Sequence, residues 1–416
     1  MSNFYRDAMN EPIDLGFTPT PITVADGEPP SPPPCSPGRP GAVAGRWLNP
    51  QQNSRLSRAL PSGTWGVKWA SDRSAGSGYG PVYLQQTRKR ILLHDKNAWE
   101  LFDAKGRHLA DGQGLTEGSE VLLDADRGLF YFEPFLRGGF KGHRLSDGEE
   151  VFVTTIRGVG AFRRTFMATL PGRLLAVAGH YGMINPHGRT PEEAAMEVWS
   201  FGDPIRANGV KILLSDERKA VLSHHSTCFL VALGDAGFTI AVEDGVYRVD
   251  ADLNFEAEFT GTFVPELLSL DEAGRIHLLV TEPDGLQYYW LLSAKGEQLV
   301  RLAVPEETHG SITVPPVVGY DHSVYLFTDT HVHAVGSKGR VEWTSDLGGP
   351  LGGAAISGDD RLLVAAGDSV SRFDIGGERE TLVTLEGEEL ASAPILTEKG
   401  RLLVASRMRV FCMKAK

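Results

Sequence analysis

From about residue 64 onward, short apolar runs rich in β-branched residues alternate with turns of Asp, Gly or Lys, at intervals of about 40 residues. One such unit reads Lys89-Arg-Ile-Leu-Leu-His94, and another reads Lys399-Gly-Arg-Leu-Leu-Val-Ala405. The other six units begin at Asp126, Pro171, Asp235, Ala273, Asp321 and Asp359. Helical periodicity is almost absent from the runs, so the pattern predicts eight similar groups of β-strands.

A second element follows most of these strands at a regular distance, and its best copy is Ala334-Val-Gly-Ser-Lys-Gly339 ending in Trp343. This element resembles the Ala-x-Asp-x-x-Thr-Gly-x-x-x-Trp repeat of the pyrroloquinoline-quinone-like, or quinoprotein-like, β-propellers. The resemblance covers about residues 64 to 416 and identifies no subfamily. It implies an all-β propeller of eight four-stranded blades, or of seven if two repeats belong to one irregular blade.

The repeats assign residues 61–416 to the propeller. The last unit ends at Val410-Phe-Cys-Met413, too early to supply its own outer strand, whereas Thr64-Trp-Gly-Val-Lys-Trp69 has the aromatic character of one. We therefore expect strand 64–70 to complete the C-terminal blade. This pairing would close the ring and remove the exposed sheet edges of an open array.

A mostly irregular tail precedes the propeller. Residues 18–60 are rich in Pro, Gly and Ser and are interpreted as an extended linker. Residues 1–17 are more apolar than a solvated tail requires, which makes them a candidate docking peptide or, alternatively, a disordered leader. The candidate partner-binding residues of the tail are Phe4, Tyr5, Ile13, Leu15 and Phe17. A docking peptide of this kind would bind its own propeller or another subunit.

A long insertion interrupts one blade between His180 and Met196. Within it, Thr190 followed by Pro191 is typical of a helix start. Long loops on a rigid scaffold often carry function, so the insertion is a second candidate contact site, with a merely tolerated insertion as the alternative. Its candidate contact residues are Tyr181, Met183, His187 and Arg189.

Charge and cysteine content exclude several classes of partner and location. The chain has 416 residues and a formal net charge of −12, all of it beyond residue 60, which argues against nucleic acid or an anionic membrane as the main partner. Three cysteines, Cys35, Cys228 and Cys412, form no close pair. Because no signal peptide and no run of eighteen apolar residues is visible, we expect a cytoplasmic protein without a membrane span.

Local signatures of catalysis are missing from the sequence. It contains no Gly-x-Ser-x-Gly elbow, no Walker A loop and no His-Glu-x-x-His pair. The doublets His224-His225 and His331-Val-His333 lack further ligands at metal-binding spacing. The calcium ligands and base of the quinone-dependent dehydrogenases cannot be assigned to positions here, so no cofactor is expected. The tryptophans Trp99, Trp199, Trp290 and Trp343 are interpreted as packing between blades.

These observations favour a non-catalytic protein-interaction scaffold, a propeller subunit of a multi-protein complex. A more specific hypothesis is a bacterial system built around an AAA+ ATPase and a von Willebrand A-type adaptor, where similar propellers occur. One alternative is a sensor that binds a small ligand or carbohydrate in the central channel. Another is an enzyme, a lyase or an oxidoreductase, with its site at the mouth of that channel.

Overall fold

The structure of the chain is a computed structural model. It describes residues 56, 58–74, 82–95, 97–115, 121–125, 127–132, 141–153, 162–170, 173–180, 196–202, 210–212, 230–234, 237–242, 245–250, 255–271, 273–304, 312, 314–319, 321–336 and 338–416. All regular elements in these ranges are β-strands. The described part of the chain accordingly contains no helix that could cross a membrane.

The described strands form eight four-stranded antiparallel sheets, and this confirms the predicted all-β propeller of eight blades. We number the blades in chain order and letter the strands of each blade A to D from the inside outward. Blades 1 to 4 consist of β2 (Tyr83–Gln86), β3 (Arg90–His94), β4 (Ala98–Asp103) and β5 (His108–Gln113); β6 (Leu122–Asp124), β7 (Leu129–Phe132), β8 (Lys141–Arg144) and β9 (Glu150–Val153); β10 (Phe162–Leu170), β11 (Arg173–His180), β12 (Met196–Gly202) and β13 (Val210–Ile212); and β14 (Leu230–Gly234), β15 (Gly237–Val242), β16 (Gly245–Asp250) and β17 (Phe255–Thr260).

The C-terminal half repeats the same order of strands. Blades 5 to 7 consist of β18 (Val264–Leu270), β19 (Ile276–Thr281), β20 (Gln287–Leu292) and β21 (Gln298–Ala303); β22 (Val317–Val318), β23 (Val324–Phe327), β24 (His331–Val335) and β25 (Val341–Asp346); and β26 (Leu351–Ile356), β27 (Leu362–Ala366), β28 (Ser369–Phe373) and β29 (Arg379–Thr384). Blade 8 takes its A, B and C strands from β30 (Ile395–Leu396), β31 (Leu402–Ala405) and β32 (Arg409–Ala415).

The fourth strand of blade 8 comes from the other end of the chain. Strand β1 (Trp65–Asp72) pairs antiparallel with β32, with Trp65 opposite Ala415 and Trp69 opposite Cys412. A bulge between Val67 and Trp69 shifts the register within this pair. The outer edge of β32 is thereby covered, and the first and last described strands meet in one sheet.

The apolar core lies in layers between neighbouring blades. One layer packs Ile91 and Phe102 of blade 1 against Leu403 and Cys412 of blade 8. Five further described layers join blades 1 and 2, 4 and 5, 5 and 6, 6 and 7, and 7 and 8. Each blade therefore depends on its neighbours to cover its faces, as expected for a repeat protein.

Side-chain oxygens at the ends of the A strands explain the repeated turn residues. The Oδ1 atom of Asp271 accepts hydrogen bonds of 2.9 Å from the backbone N–H groups of both Ala273 and Arg275. In blade 8, Thr397 Oγ1 accepts in the same way from Arg401 N at 3.0 Å. Such local bonds satisfy backbone donors inside a tight turn, which is why Asp and Thr recur at this position.

The glycine of each C–D turn lets one blade approach the D strand of the blade before it. Five of these glycines have φ between +67° and +86°: Gly106, Gly148, Gly296, Gly339 and Gly377. A Cβ at position 377 would lie 2.6 Å from Trp343 Cδ2, and one at position 106 would lie 2.5 Å from Trp69 Cε3. At these two positions the Gly of one blade therefore packs against the Trp of the preceding blade.

Trp343 shows how this contact is built. Its ring stacks on Phe373 of blade 7 at 6.1 Å between centroids, and its Nε1–H donates a 2.9 Å hydrogen bond to the carbonyl oxygen of Ile375. Trp99 packs edge-on against Phe130 of blade 2, with ring centroids 4.9 Å apart.

Trp290 meets the preceding blade in a similar way. Its ring packs edge-on against Phe259 of β17 at 5.2 Å and against Phe263, just beyond that strand, at 4.9 Å. Three of the four predicted tryptophans therefore pack between blades. The side chain of Trp199, in β12, lies outside the described set.

We expect Gly377→Ala to destabilise the ring more than Gly387→Ala. Both glycines have positive φ, +82° and +79°, so the backbone strain of about 1 kcal/mol is shared. Only at position 377 would the new methyl group meet Trp343, and this overpacking should lower the free energy of unfolding by roughly 1–3 kcal/mol more. Urea unfolding followed by tryptophan fluorescence measures both variants, and equal midpoints would contradict the proposed contact.

The segment ahead of β1 packs on the ring and is named here the strap (residues 56–61). Leu56 N donates to Ile356 O at 2.7 Å, and the carbonyl oxygen of Arg58 accepts from Gly358 N at 2.6 Å. Leu56 and Leu60 are 6% and 7% exposed within the layer between blades 7 and 8. Residues 56 and 58–60, assigned to the linker by composition, therefore belong to the propeller, because these leucines complete its core.

Truncating the strap leucines is expected to loosen the last two blades. Leu56→Ala and Leu60→Ala should each lower the free energy of unfolding by about 2 kcal/mol or more, since each deletes a buried side chain. Val67→Ala is the matched control, because Val67 is 50% exposed on the neighbouring strand. Chemical denaturation checks the three variants, and a leucine variant as stable as the Val67 variant would contradict a structural role for the strap.

Candidate functional site

The order of strands gives the ring two different faces. The described A–B and C–D turns lie on one face, which we call the AB face. The B–C turns and the crossings from each D strand to the next A strand lie on the opposite face, the BC face. The strap contacts the A–B turns of blades 7 and 8, so it lies on the AB face.

The residues predicted from the sequence to bind partners are Phe4, Tyr5, Ile13, Leu15, Phe17, Tyr181, Met183, His187 and Arg189, and all of them lie outside the described residues. The structure instead fixes the points at which their segments join the ring. Residues 1–55 join at Leu56 on the AB face. Residues 181–195 follow β11 and precede β12, whose last described pair, Gly179 with Met196, lies at the BC face.

A cleft opens on the AB face where blade 8 meets blade 1, beside the joint closed by β1. We call it the closure cleft, and its volume is about 60 Å³. Its floor is apolar and is formed by Ile91, Leu403 and Cys412, all of which are buried. Gln86 crosses from blade 1 and donates a 2.9 Å hydrogen bond to Leu396 O, which joins the two blades at this point.

The rim of the closure cleft is basic. Arg88, Lys399 and Arg401 surround it together with one carboxylate, Glu398, so the local formal charge is positive in a chain whose net charge is −12. Arg88 Nε lies 3.5 Å from Glu398 Oε2, but the Arg88 side chain is 80% exposed. An ion pair this exposed contributes little stability and leaves the rim available for another anion.

Cys412 gives the cleft no reactive centre. Burial raises the pKa of its thiol, although the nearby positive charges of Arg401 and Lys68 oppose the shift. A thiol of this kind remains protonated near neutral pH and is a weak nucleophile. The floor is therefore suited to apolar contact and not to covalent chemistry.

A buried ionisable network lies inside blade 5. Asp271 Oδ2 accepts a 2.6 Å hydrogen bond from Arg275 Nε and lies 3.4 Å from His277 Nε2. The other ring nitrogen of His277 is 2.8 Å from the hydroxyl of Tyr289. The sequence does not predict this set, because its local signal is limited to the Asp-x-x-Gly-Arg turn that starts at Asp271.

A carboxylate, an imidazole and a phenol in line resemble a proton relay, but burial gives them a structural role. The side chains of Asp271 and His277 are both 0% exposed, and Tyr289 is 1% exposed. No substrate of ordinary size reaches atoms enclosed in this way. The network instead joins the A–B turn, the B strand and the C strand of blade 5.

The pKa directions fit this structural role. Burial alone would raise the pKa of Asp271, yet the interactions with His277 and Arg275 hold it well below its usual range. Burial raises the pKa of Tyr289 far above that of a free phenol. Asp271 therefore stays ionised and Tyr289 stays neutral, so neither group exchanges a proton near neutral pH.

Replacing the carboxylate should weaken the ring and change its response to acid. Because the pKa of Asp271 is depressed in the folded state, its contribution is fully present above the unfolded value near 4 and is lost as the pH falls below it. Asp271→Asn should cost roughly 3 kcal/mol at pH 7, since it breaks a buried ion pair.

The measurement compares urea unfolding of wild type and Asp271→Asn at pH 7 and at pH 3. The gap between the two proteins should narrow at the lower pH. A gap of the same size at both pH values would contradict the depressed pKa. Asp374→Asn, at an exposed C–D turn, controls for the general effect of removing a carboxylate.

A second buried network locks the closure on the BC face. Arg73, just after β1, places Nε 2.8 Å from Glu100 Oε1 and Nη2 3.2 Å from Asp95 Oδ2. Its Nη1 donates to the carbonyl oxygen of Arg407 in blade 8 at 3.2 Å. All three charged side chains are 2% exposed or less, so this network is a buried link between blades 8 and 1.

The histidine pair predicted on one strand face is found in β24. The rings of His331 and His333 are stacked 6.4 Å apart, and their Nδ1 atoms lie 2.9 Å from Thr330 Oγ1 and 3.0 Å from Thr344 Oγ1. Among the described residues, no group of three or more His, Cys, Asp or Glu side chains could hold a metal ion. His224 and His225 lie outside those residues.

Comparison with known proteins gives the fold a context. No protein-family profile matches the chain, and no curated protein matches it. The quinohemoprotein alcohol dehydrogenase of Comamonas testosteroni superposes with a TM-score of 0.58 at 10% identity, over 90% of this chain and 81% of that one. The fold is that of a quinoprotein-like β-propeller. BamB from Moraxella catarrhalis shares this propeller fold, with a TM-score of 0.50 at 11% identity over 85% of this chain and 98% of that one.

Identities of 10 and 11% establish a shared fold for this quinoprotein-like propeller and nothing about its activity. One of the two similar proteins is a dehydrogenase by name. That name describes the other protein, and no chemistry of the present chain follows from it. The choice between function classes therefore depends on the surface of this propeller itself.

Proposed function

We propose that this propeller is a non-catalytic interaction scaffold whose N-terminal tail and blade loops bind other proteins. The observation that carries the proposal is the strap. It attaches the chain to the ring at Leu56 and Leu60, so that residues 1–55 start from one fixed point on the AB face. A tail anchored on a rigid ring has the arrangement of a tethered docking element.

The composition of the tail supports this reading. Phe4, Tyr5, Ile13, Leu15 and Phe17 give the first 17 residues five large apolar side chains, separated from the ring by the Pro-rich linker. Large apolar side chains on a tether contribute binding free energy when they enter a partner's groove. The linker gives them reach without fixing the geometry of the complex.

Contacts on both faces suit a subunit that lies between other proteins. The tail starts on the AB face, whereas the insertion after His180 starts on the BC face. One propeller can in this way hold two partners apart at a fixed distance. The finer form of the proposal is a cytoplasmic bacterial complex of an AAA+ ATPase with a von Willebrand A-type adaptor.

Deleting residues 1–55 tests the scaffold directly. The full-length protein, tagged at its C-terminus, is expected to capture a stoichiometric partner from a lysate of its own source organism, and the complex should survive size-exclusion chromatography. The shortened protein should lose that partner or bind it at least tenfold more weakly. Mass spectrometry of the co-eluting fractions gives the measurement.

The site of truncation matters for the control. Removing residues 1–60 would also remove Leu56 and Leu60 from the core, and a lost partner could then reflect a damaged ring. Matched unfolding midpoints for the full-length and the shortened protein therefore accompany the experiment. A partner retained at full affinity by the shortened protein would move the contact to the ring, and no stoichiometric partner at all would overturn the scaffold.

A further inference from the structure

We propose that the closure cleft is the binding site for residues 7–17 of the same chain. The inference rests on the proposed function in treating the tail as a docking element. It adds the position that the tail occupies on the ring before a partner binds it. The two surfaces match in charge, in apolar character and in the length of chain that joins them.

Charge is the first match. Residues 7–17 contain three acids, Asp7, Glu11 and Asp14, and no basic residue. The cleft presents the exposed Arg88 and Lys399 together with the half-buried Arg401. Opposite charges on a tethered pair of surfaces favour the bound state, and added salt weakens it.

Apolar contact is the second match. The same segment carries Met9, Ile13, Leu15 and Phe17, which alternate with its acids and small residues. The floor of the cleft is formed by Ile91, Leu403 and Cys412 between the basic rims. Because these three residues are only 1–3% exposed, the cleft has room for no more than one apolar side chain of the segment, while the carboxylates of the segment face the rim.

The length of the chain allows the contact within one molecule. Pro61, at the end of the strap, lies next to the cleft rim, because a Cβ at Gly400 would be 3.0 Å from Pro61 Cγ. The stretch of chain from Leu56 to Pro61 spans at most about 18 Å when fully extended, so Leu56 is within about that distance of the rim. The linker of about 38 residues (18–55) spans roughly 34 Å on average even as a flexible coil. Tethering at this range gives an effective concentration on the order of millimolar, so modest affinity suffices.

Occupation of the cleft would hold this segment against the ring when no partner is present. A partner with a stronger groove would compete for the same residues and release them from the ring. The propeller would then expose its basic rim only in the assembled state.

Photo-crosslinking of the full chain tests the contact. Phe17 is replaced by p-benzoylphenylalanine, the dilute protein is irradiated, and the crosslinked peptides are mapped by mass spectrometry. We expect crosslinks within one chain to the segments 87–91 and 397–403. Lys399→Glu combined with Arg401→Glu should lower their yield at least fivefold, and 0.5 M salt should do the same.

The chain supplies a matched control. Lys338-Gly-Arg340, in the C–D turn of blade 6, has the same three residue types as Lys399-Gly-Arg401, so Lys338→Glu with Arg340→Glu should leave the crosslinks unchanged. Changing Asp7, Glu11 and Asp14 to Lys alters only the tail and should lower the yield as well. When these tail lysines are combined with Lys399→Glu and Arg401→Glu in the rim, the crosslink yield should recover.

Three results would overturn the inference. The first is crosslinks to other parts of the ring, and the second is crosslinks between two chains that increase with concentration. The third is a crosslink yield that changes neither with the rim substitutions nor with the tail substitutions. Each can occur while the partner is still captured in the truncation experiment. Failure of the cleft and failure of the scaffold are therefore distinguishable.

Discussion

The pairing of β1 with β32 is the interaction on which the rest of the ring depends. Each blade has two apolar faces that only its neighbours can cover, so a gap anywhere exposes two faces at once. The chain closes this gap with three different contacts: the strand pair itself, the leucines of the strap on the AB face, and the buried charges around Arg73 on the BC face. Strand hydrogen bonds, apolar burial and ion pairing thus all act on blade 8 and on its contacts with the two neighbouring blades.

The sequence was most informative where one local rule repeats. Each hairpin has its own turn residues, and eight copies of the same signal predicted eight blades and the strand that completes the last one. The Gly and Trp of the repeat were also visible, because a C–D turn needs a residue without a side chain next to the indole of the preceding blade. A constraint that recurs along the chain leaves a recurring trace in the sequence.

The closure cleft and the strap left no such trace. Arg88 and Glu398 lie far apart along the chain and come together only because the ring closes between them. Leu56 and Leu60 stand in a polar segment whose composition indicates a linker, and tertiary contact overrides that signal. The network of Asp271 and His277 is also invisible as a motif, since its members face each other across strands. A contact that occurs once, between residues far apart in the sequence, can be recognised only when the three-dimensional structure is known.

The joint between the two ends of the ring also has a consequence for the order of synthesis. Asp72 and Arg409, which form an ion pair across this joint, are 337 residues apart. At about 5–20 residues per second, β1 leaves the ribosome some 20–70 seconds before its partner strand. During that time an aromatic strand with free hydrogen-bonding edges exists in the growing chain. A nascent molecule of this protein is therefore exposed to aggregation at β1, the first of the described strands, until the seven-residue strand β32 pairs with it.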